Sequence, residues 1–446
     1  MNLNSRNIGV GIFVALVAFP ALAIDLAEGC TGTQAAVDKN VFNWRYYLQH
    51  HGDLLAAGYE TPTQACAHWV SHGFNEGRQG HAGFHAIQYL SRYPDLATYY
   101  GASNYSAAAA HYVNSGISEW RIGYQENGMS LNRLTTTISN VYGNSKIFVG
   151  TSKRMAGAID SLVYDNIEFI NSYDHGRELQ LASVSSWSSE AGLYNPTEAG
   201  SCQNWWTDST SSILNGIYAA GPAMSTSVTP AFWFEPTPNV TPPLSCPGIG
   251  KGSGKVAWNH TFQKSITIGQ PGLPNVIKFA SQIDINEKVP QDYSNPMAPV
   301  VRFEVPTGYL AGEFSKKYRY NRTSGALTNI TSLACHEANQ ACTSDDPLIF
   351  TNALESHALA VCNGPSSGAI FANYPKYESW GTWFAGRPIL HTTKWAVLKY
   401  IKAEVYPGAR VNFNTYISVA RTEGGVGAVS KLKDTLTSLY QGGQCN

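Results

Sequence analysis

Short alternating runs of β-branched and aromatic residues, parted by Gly, Pro, Asn and Ser, fill the chain from about Thr135 onward. Residues 146–150, 231–235, 265–268, 276–279, 300–305 and 394–400 are examples. A strand points successive side chains to opposite faces, so this alternation suits a half-buried sheet and not a helix. Many short strands with little long helix call for antiparallel pairing in a sandwich or barrel. Residues 135–446 are too many for an immunoglobulin-like domain of about 100 residues, so a large two-sheet sandwich fits better. Asp165 and Asn166 are expected to turn a hairpin before a strand at Ile167. Residues 236–254, rich in Pro, Gly and Ser, read as a long loop. One helix is expected at 428–440, where Val429, Leu432, Leu436 and Leu439 recur at helical spacing.

The region before this contains a repeat. The 42–48 segment matches 84–90, Gly52-Asp53-Leu54 matches Pro94-Asp95-Leu96, and Ala67-His68-Trp69 matches Ala110-His111-Tyr112. The 73–78 segment then matches 116–121, with Trp120 standing where the first copy has Gly77. Two copies, 42–80 and 84–123, make a helical module expected over 24–128 with two short helices per copy. Asp53 and Asp95 sit near expected turns, where a short carboxylate can cap a helix start. His68 and His72 have the i, i+4 spacing of a zinc pair. The second copy keeps His111 but has Ser115 at the other place, so polar packing is the better reading.

Residues 1–23 have the form of a signal peptide: Arg6 in a short polar start, an apolar run from Ile8 to Ala18, and Ala21-Leu22-Ala23 as the cleavage site. The apolar run is short for a bilayer span, and no later segment has the length and apolarity of one. All eight cysteines follow it, and an even count in an exported chain implies disulfides. Proximity favours Cys335 with Cys342 and Cys202 with Cys246. The formal net charge is -1 with no long basic run, which argues against a nucleic-acid partner.

The segment 171–180 carries Tyr173, Asp174, His175, Arg177, Glu178 and Gln180 between apolar flanks, and alternation there predicts a strand. Tyr173, His175 and Arg177 would share one face, with Asp174, Glu178 and Gln180 on the other. A proton shuttle beside a fixed cation suits an anionic or polyhydroxylated substrate, while a solvated strand face with ion pairs is the structural alternative. A second cluster follows, with Asn195 before Pro196, then Glu198, Trp205 and Trp206. Flat aromatic faces beside hydrogen-bonding groups suit sugar rings. His260, His357, His391 and the aromatic patch of Tyr377, Trp380 and Trp383 are weaker candidates, and each is more readily structural.

The repeat resembles the "YL…PDL…A..HY…G..EGR" repeats of many secreted bacterial proteins, over residues 42–123. That resemblance implies an accessory role beside a catalytic domain. Over residues 135–446 the chain is loosely similar to the galactose-mutarotase-like supersandwich of sugar epimerases, some glycoside hydrolases and polysaccharide lyases. The expected architecture is therefore mainly β, a supersandwich-like antiparallel β-sandwich at 129–446 preceded by the helical module. What this resemblance implies is a carbohydrate-active enzyme on a polysaccharide or oligosaccharide substrate.

Two mechanisms fit these residues. A lyase uses Arg177 and Asn195 to neutralise a uronate carboxylate, with His175 and Tyr173 as base and acid. Glu178, Gln180, Trp205, Trp206 and Trp383 would then hold the sugar. A hydrolase needs two carboxyl groups about 5–10 Å apart. Asp174 and Glu178 would lie about 13 Å apart along a strand, so Glu198 or Glu235 would have to join one of them. A non-catalytic carbohydrate-binding or surface protein is the alternative outside enzymes. Gly364-Pro365-Ser366-Ser367-Gly368 matches G-x-S-x-G, but no helix is expected after it, so a plain turn is favoured over a nucleophile elbow. No cofactor is implied. Asp284, Asp345 and Asp346 offer hard oxygens for a structural calcium ion, without EF-hand spacing.

Overall fold

The computed structural model describes residues 24–124, 128–129, 135–173, 175–186, 193–194, 196–200, 210–232, 259–286, 300–331, 342–367, 377–382, 388–402 and 407–446. The segment 1–23, expected to be a signal peptide, lies outside these, as do the whole 236–254 region and Cys202, Cys246 and Cys335.

Each repeat copy forms three helices rather than two. The first has Trp44–His50, Gly52–Ala56 and Pro62–His68, the last running on as a π-helical turn, Trp69–Gly73. The second has Ala86–Arg92, Pro94–Tyr100 and Tyr105–His111, running on through Tyr112–Gly116. The additional helix arises because the Gly52-Asp53-Leu54 and Pro94-Asp95-Leu96 segments start helices rather than turns. Asp53 and Asp95 lie in their first turns, where a carboxylate opposes the helix dipole. The conserved spacing within the repeat has a physical origin. Arg78 donates from Nη1 to Asp53 Oδ2 at 2.8 Å and from Nε to Glu76 Oε2 at 2.7 Å. Arg121 repeats this with Asp95 at 3.1 Å and Glu119 at 2.7 Å. A disulfide between Cys30 and Cys66 ties the module's start to the first copy.

Three antiparallel sheets make up the rest. The largest has ten strands, in the order Gly128–Met129, Ile213–Ala220, Ala223–Thr229, Thr261–Gln270, Leu273–Ile285, Ala409–Arg421, His357–Ser367, Leu348–Thr351, Lys316–Tyr320 and Leu327–Asn329. An eight-stranded sheet is centred on Gln180–Ser186, Val300–Ala311, Thr392–Lys402 and Tyr377–Thr382. Thr135–Tyr142, Ser145–Ser152, Ile159–Tyr164 and Ile167–Glu168 form a four-stranded sheet. Side chains from all three meet in one core, for example Phe279 and Phe413 with Phe303 and Trp395, and Ile147 and Leu162 beside them. The large antiparallel β-sandwich with helices at its N-terminal side is thus present.

Asp165 and Asn166 do turn a hairpin, both with left-handed φ of 49° and 61°. The terminal helix runs Ala428–Gln441 and lays Leu432, Leu436 and Leu439 on the outer face of the ten-stranded sheet, against Val276, Ala358, Ala360 and Ala420. A disulfide between Cys362 and Cys445 fixes its end to the His357–Ser367 strand. That strand continues through Gly364, Pro365 and Ser366 with a register shift between Asn363 and Ser366. The expected turn at this place is therefore a β-bulge inside a strand, which accommodates the proline without a ladder donor.

Residues 171–173 and 175–179 form no strand. Ile170 bridges Leu310 of the eight-stranded sheet and Leu179 bridges Ile159 of the four-stranded sheet, so the chain between them passes from one sheet to the other. Without a ladder there is no alternation of faces, and the expected grouping of side chains on two strand faces does not exist.

Candidate functional site

The sequence-derived cluster lies at the seam between the helical module and the sheets. His175 is fully buried, and its Nε2 donates to the Arg154 carbonyl at 3.0 Å. Arg177 is buried, with Nη1 donating to the Leu390 carbonyl at 2.8 Å. Tyr173 packs into the module's core with Ile389 and Leu390. Arg154 donates to the Ser172 carbonyl at 2.7 Å, and Asn171 Nδ2 donates to the Ile389 carbonyl at 2.8 Å. From the module, Gln49 donates to the Ile170 carbonyl at 3.3 Å and accepts from Ser172 Oγ at 3.1 Å. A crossing segment outside any ladder leaves its carbonyls without strand partners. Arg154 and Gln49 supply donors to two of these, at Ser172 and Ile170, while Asn171, His175 and Arg177 donate outward to the carbonyls of Ile389, Arg154 and Leu390.

Glu178 and Gln180 are also buried. Gln180 Oε1 accepts from the Ala199 amide at 3.0 Å. Glu198 turns inward rather than out of a loop. Its Oε2 accepts from the Leu181 amide at 2.8 Å, and its Oε1 from Lys264 Nζ at 2.6 Å. Lys264 also donates to the Gly157 carbonyl at 2.6 Å, and neither side chain of the pair reaches solvent. Burial pushes the Glu198 carboxyl up and the Lys264 ammonium down, each opposed by the charge of the other. Asp174, Asn195, Trp205, Trp206, Trp383 and Glu235 lie outside the described residues. Among the described residues, no group of three or more His, Cys, Asp and Glu side chains is placed to hold a metal ion. His68 meets Tyr47, with Nδ1 at 2.9 Å from the hydroxyl, and His111 meets Tyr89 in the same way at 2.9 Å.

A different surface answers to the composition of the strands. Among the described residues, the terminal helix covers one half of the outer face of the ten-stranded sheet and leaves the other half open. On the open half lies a groove of about 520 Å³. Two register rows line it. One runs Tyr218, Ser225, Ser265, Ala280 and Asn414. The next runs Gly216, Ser227, Gln263, Gln282 and Asn412. Paired residues on adjacent antiparallel strands point to the same side, so these amides and hydroxyls share one surface. The intervening residues Ile217, Thr226, Lys264 and Phe413 are buried in the sandwich. Lys264 is the one charged residue among the described residues of the lining, and its ammonium is on the buried side with Glu198. Tyr218 is 51% exposed and offers a ring face at one edge.

The sequence signal for this groove is the alternation of Ser, Gln and Asn with apolar residues in 261–268, 276–285 and 409–415. Each strand alone reads as a solvated face. The register brings together positions almost 200 residues apart.

No protein-family model matches the chain, the repeats included. No curated protein matches it. Among solved structures it is similar to Slr1438 protein from Synechocystis sp. PCC 6803, at 9% identity and a TM-score of 0.37, covering 67% of this chain and 99% of that one. It is similar to heparan sulfate lyase HepC from Pedobacter heparinus at 8% identity and a TM-score of 0.36, over 81% of this chain and 47% of that one. It is similar to the alpha-galactosidase from Lactobacillus brevis at 7% identity and a TM-score of 0.32, over 69% and 42%. The chain thus spans less than half the length of the lyase and of the galactosidase. At these scores the likenesses carry no argument about what this chain does.

Proposed function

We propose that this chain is an exported carbohydrate-active protein that lays a polysaccharide across the open half of its ten-stranded sheet. The observation that supports this is the two-row lining of hydroxyls and amides on the groove. Sugar hydroxyls donate and accept, and Ser, Asn and Gln side chains do both. The exposed Tyr218 ring suits the apolar C–H face of a sugar. The groove's volume falls within the roughly 300–1,000 Å³ of ordinary ligand sites. Two disulfides among the described residues favour an oxidising compartment. Affinity electrophoresis through gels cast with polysaccharides tests the reading. Gln282→Ala with Asn414→Ala is expected to weaken retention at least tenfold, and unchanged retention would rule the groove out as the binding surface.

Cleavage of the glycan is the second reading, favoured by the gathering of Tyr173, His175 and Arg177 at one seam. As a lyase, Arg177 and Asn195 neutralise a uronate while His175 and Tyr173 act as base and acid. As a hydrolase, Glu198 works with Asp174. In either case Glu178, Gln180, Trp205, Trp206 and Trp383 hold the sugar. Burial of the described members requires the seam to part before substrate reaches them. Purified protein is assayed on neutral and acidic polysaccharides for new reducing ends and for absorbance of unsaturated uronates, with His175→Ala alongside. Reducing ends with absorbance mean a lyase, and without absorbance a hydrolase. Activity that survives His175→Ala takes His175 out of the mechanism.

A further inference from the structure

Asp284 stands at one end of the groove on the same sheet face, paired in register with Arg410 and Thr261. Its carboxylate gathers three donors. Arg410 Nε donates to Oδ1 at 2.6 Å, and Gln263 Nε2 donates to Oδ2 at 2.9 Å. Gln282 Nε2 lies 3.2 Å from Oδ1 and 3.3 Å from Oδ2. Gln263 and Gln282 are cross-strand partners in the groove row next to Asp284. An ionised carboxylate only accepts hydrogen bonds, so each glutamine must turn its NH₂ toward Asp284. The amide is planar and rigid, so each Oε1 is directed away from Asp284. A glutamine free in water samples both orientations, and these two are held in one.

Charge complementarity decides the occupant. Arg410 is neutralised by Asp284, and Lys264 is buried on the other side of the sheet. Lys278, in the row beyond Ala280 and Asn414, is outside the lining. A polyanion would bring its charges onto a surface that offers them no free cation among its described lining residues, and would face the carboxylate of Asp284.

Resting on the glycan-binding reading above, we infer that the groove takes an uncharged polysaccharide and that Asp284 is a positioning residue for it. It presets the Gln263 and Gln282 carbonyl oxygens as acceptors for sugar hydroxyls. Selectivity over acidic polymers follows from the same arrangement. The ligand chain loses less on binding because the two acceptors are already oriented.

The test is binding of the intact mature protein to an array of neutral polysaccharides (xylan, mannan, galactan, starch, cellulose) and acidic ones (pectate, alginate, heparan sulfate). Calorimetry then follows with a hexasaccharide of the strongest neutral binder. Neutral polymers alone are expected to be retained. Asp284→Ala is expected to lower affinity for the hexasaccharide about tenfold. In a Gln263→Ala, Gln282→Ala background the same change is expected to have no further effect, because Asp284 acts through those amides. A merely structural role for Asp284 would instead lower affinity equally in both backgrounds, and that result overturns the positioning role. Equal or better retention of acidic polymers overturns the choice of ligand while leaving glycan binding intact. No retention of any polysaccharide, or occupation of the face by a second copy in sedimentation, overturns the underlying reading together with this inference.

Discussion

Gly73 and Gly116 show how much a single position in the repeat decides. Each lies where its copy's π-helical turn ends, directly against a buried tyrosine hydroxyl. A Cβ on Gly73 would collide with the Tyr47 hydroxyl, and one on Gly116 with that of Tyr89. Those hydroxyls are held by His68 and His111 and cannot simply swing away. Gly73→Ala is therefore expected to destabilise the protein by about 1–3 kcal/mol, as overpacking does. Calorimetric melting of the variant checks this. Tyr47→Phe removes the closest clashing atom, so Gly73→Ala should cost clearly less in that background. An equal cost in both would refute the steric account. Trp120 makes the complementary point. It takes the place of Gly77 and keeps a left-handed φ of 59°, which a non-glycine residue adopts at some cost. Trp120→Gly is thus expected to relieve backbone strain at an exposed site, with a small rise in melting temperature.

The terminal helix and the crossing segment show, at the level of elements, what pattern reading can and cannot reach. The helix was legible because Leu432, Leu436 and Leu439 recur at the spacing of one helical face, and that face has a sheet to lie on. Leu436 is fully buried there, so Leu436→Ala is expected to cost roughly 2–5 kcal/mol in urea denaturation. A cost under 1 kcal/mol would mean that the helix docks loosely. The hairpin at Asp165 and Asn166 was legible for a local reason too, since both residues tolerate left-handed backbone. The 171–179 segment misled because the alternation rule presumes a ladder. Its side chains donate to carbonyls of neighbouring segments, at Arg154, Ile389 and Leu390, and those partners appear only once the sheets are placed. The groove was hidden for the opposite reason. Each strand alone carries an ordinary polar alternation, and only cross-strand register turns five such faces into one surface. The third helix of each repeat copy was missed because proline and aspartate mark turns and helix starts alike.

Docking of the helical module on the sheets buries titratable groups, and this sets how stability varies with pH for the whole molecule. Glu168 is the central case. It lies fully inside, accepting from Ser161 Oγ at 2.6 Å and from the Leu162 and Ile170 amides at 2.8 and 3.0 Å. Burial outweighs these bonds and pushes its carboxyl up to about 7. The folded state therefore retains a proton that the unfolded chain releases near the ordinary glutamate value. Stability tied to that proton is fully present below about pH 4.5 and is lost as pH rises through about 7. The shift corresponds to roughly 3 kcal/mol in all. His81 and His51 act in the other direction. Burial lowers them to about 3 and about 4, so the fold holds them neutral and loses stability as pH falls below the ordinary histidine value. The measured profile mixes these opposed slopes, and a difference between variants separates them. Glu168→Gln keeps the shape and the acceptor oxygen but cannot ionise, while the histidines are unchanged. The stability of Glu168→Gln relative to the natural protein is expected to rise by roughly 3 kcal/mol between pH 4.5 and 8, measured by urea denaturation at each end. A difference that stays flat would mean that Glu168 is charged in the folded protein throughout. The three donors around it would then outweigh burial, and the seam would hold a permanent anion rather than a proton.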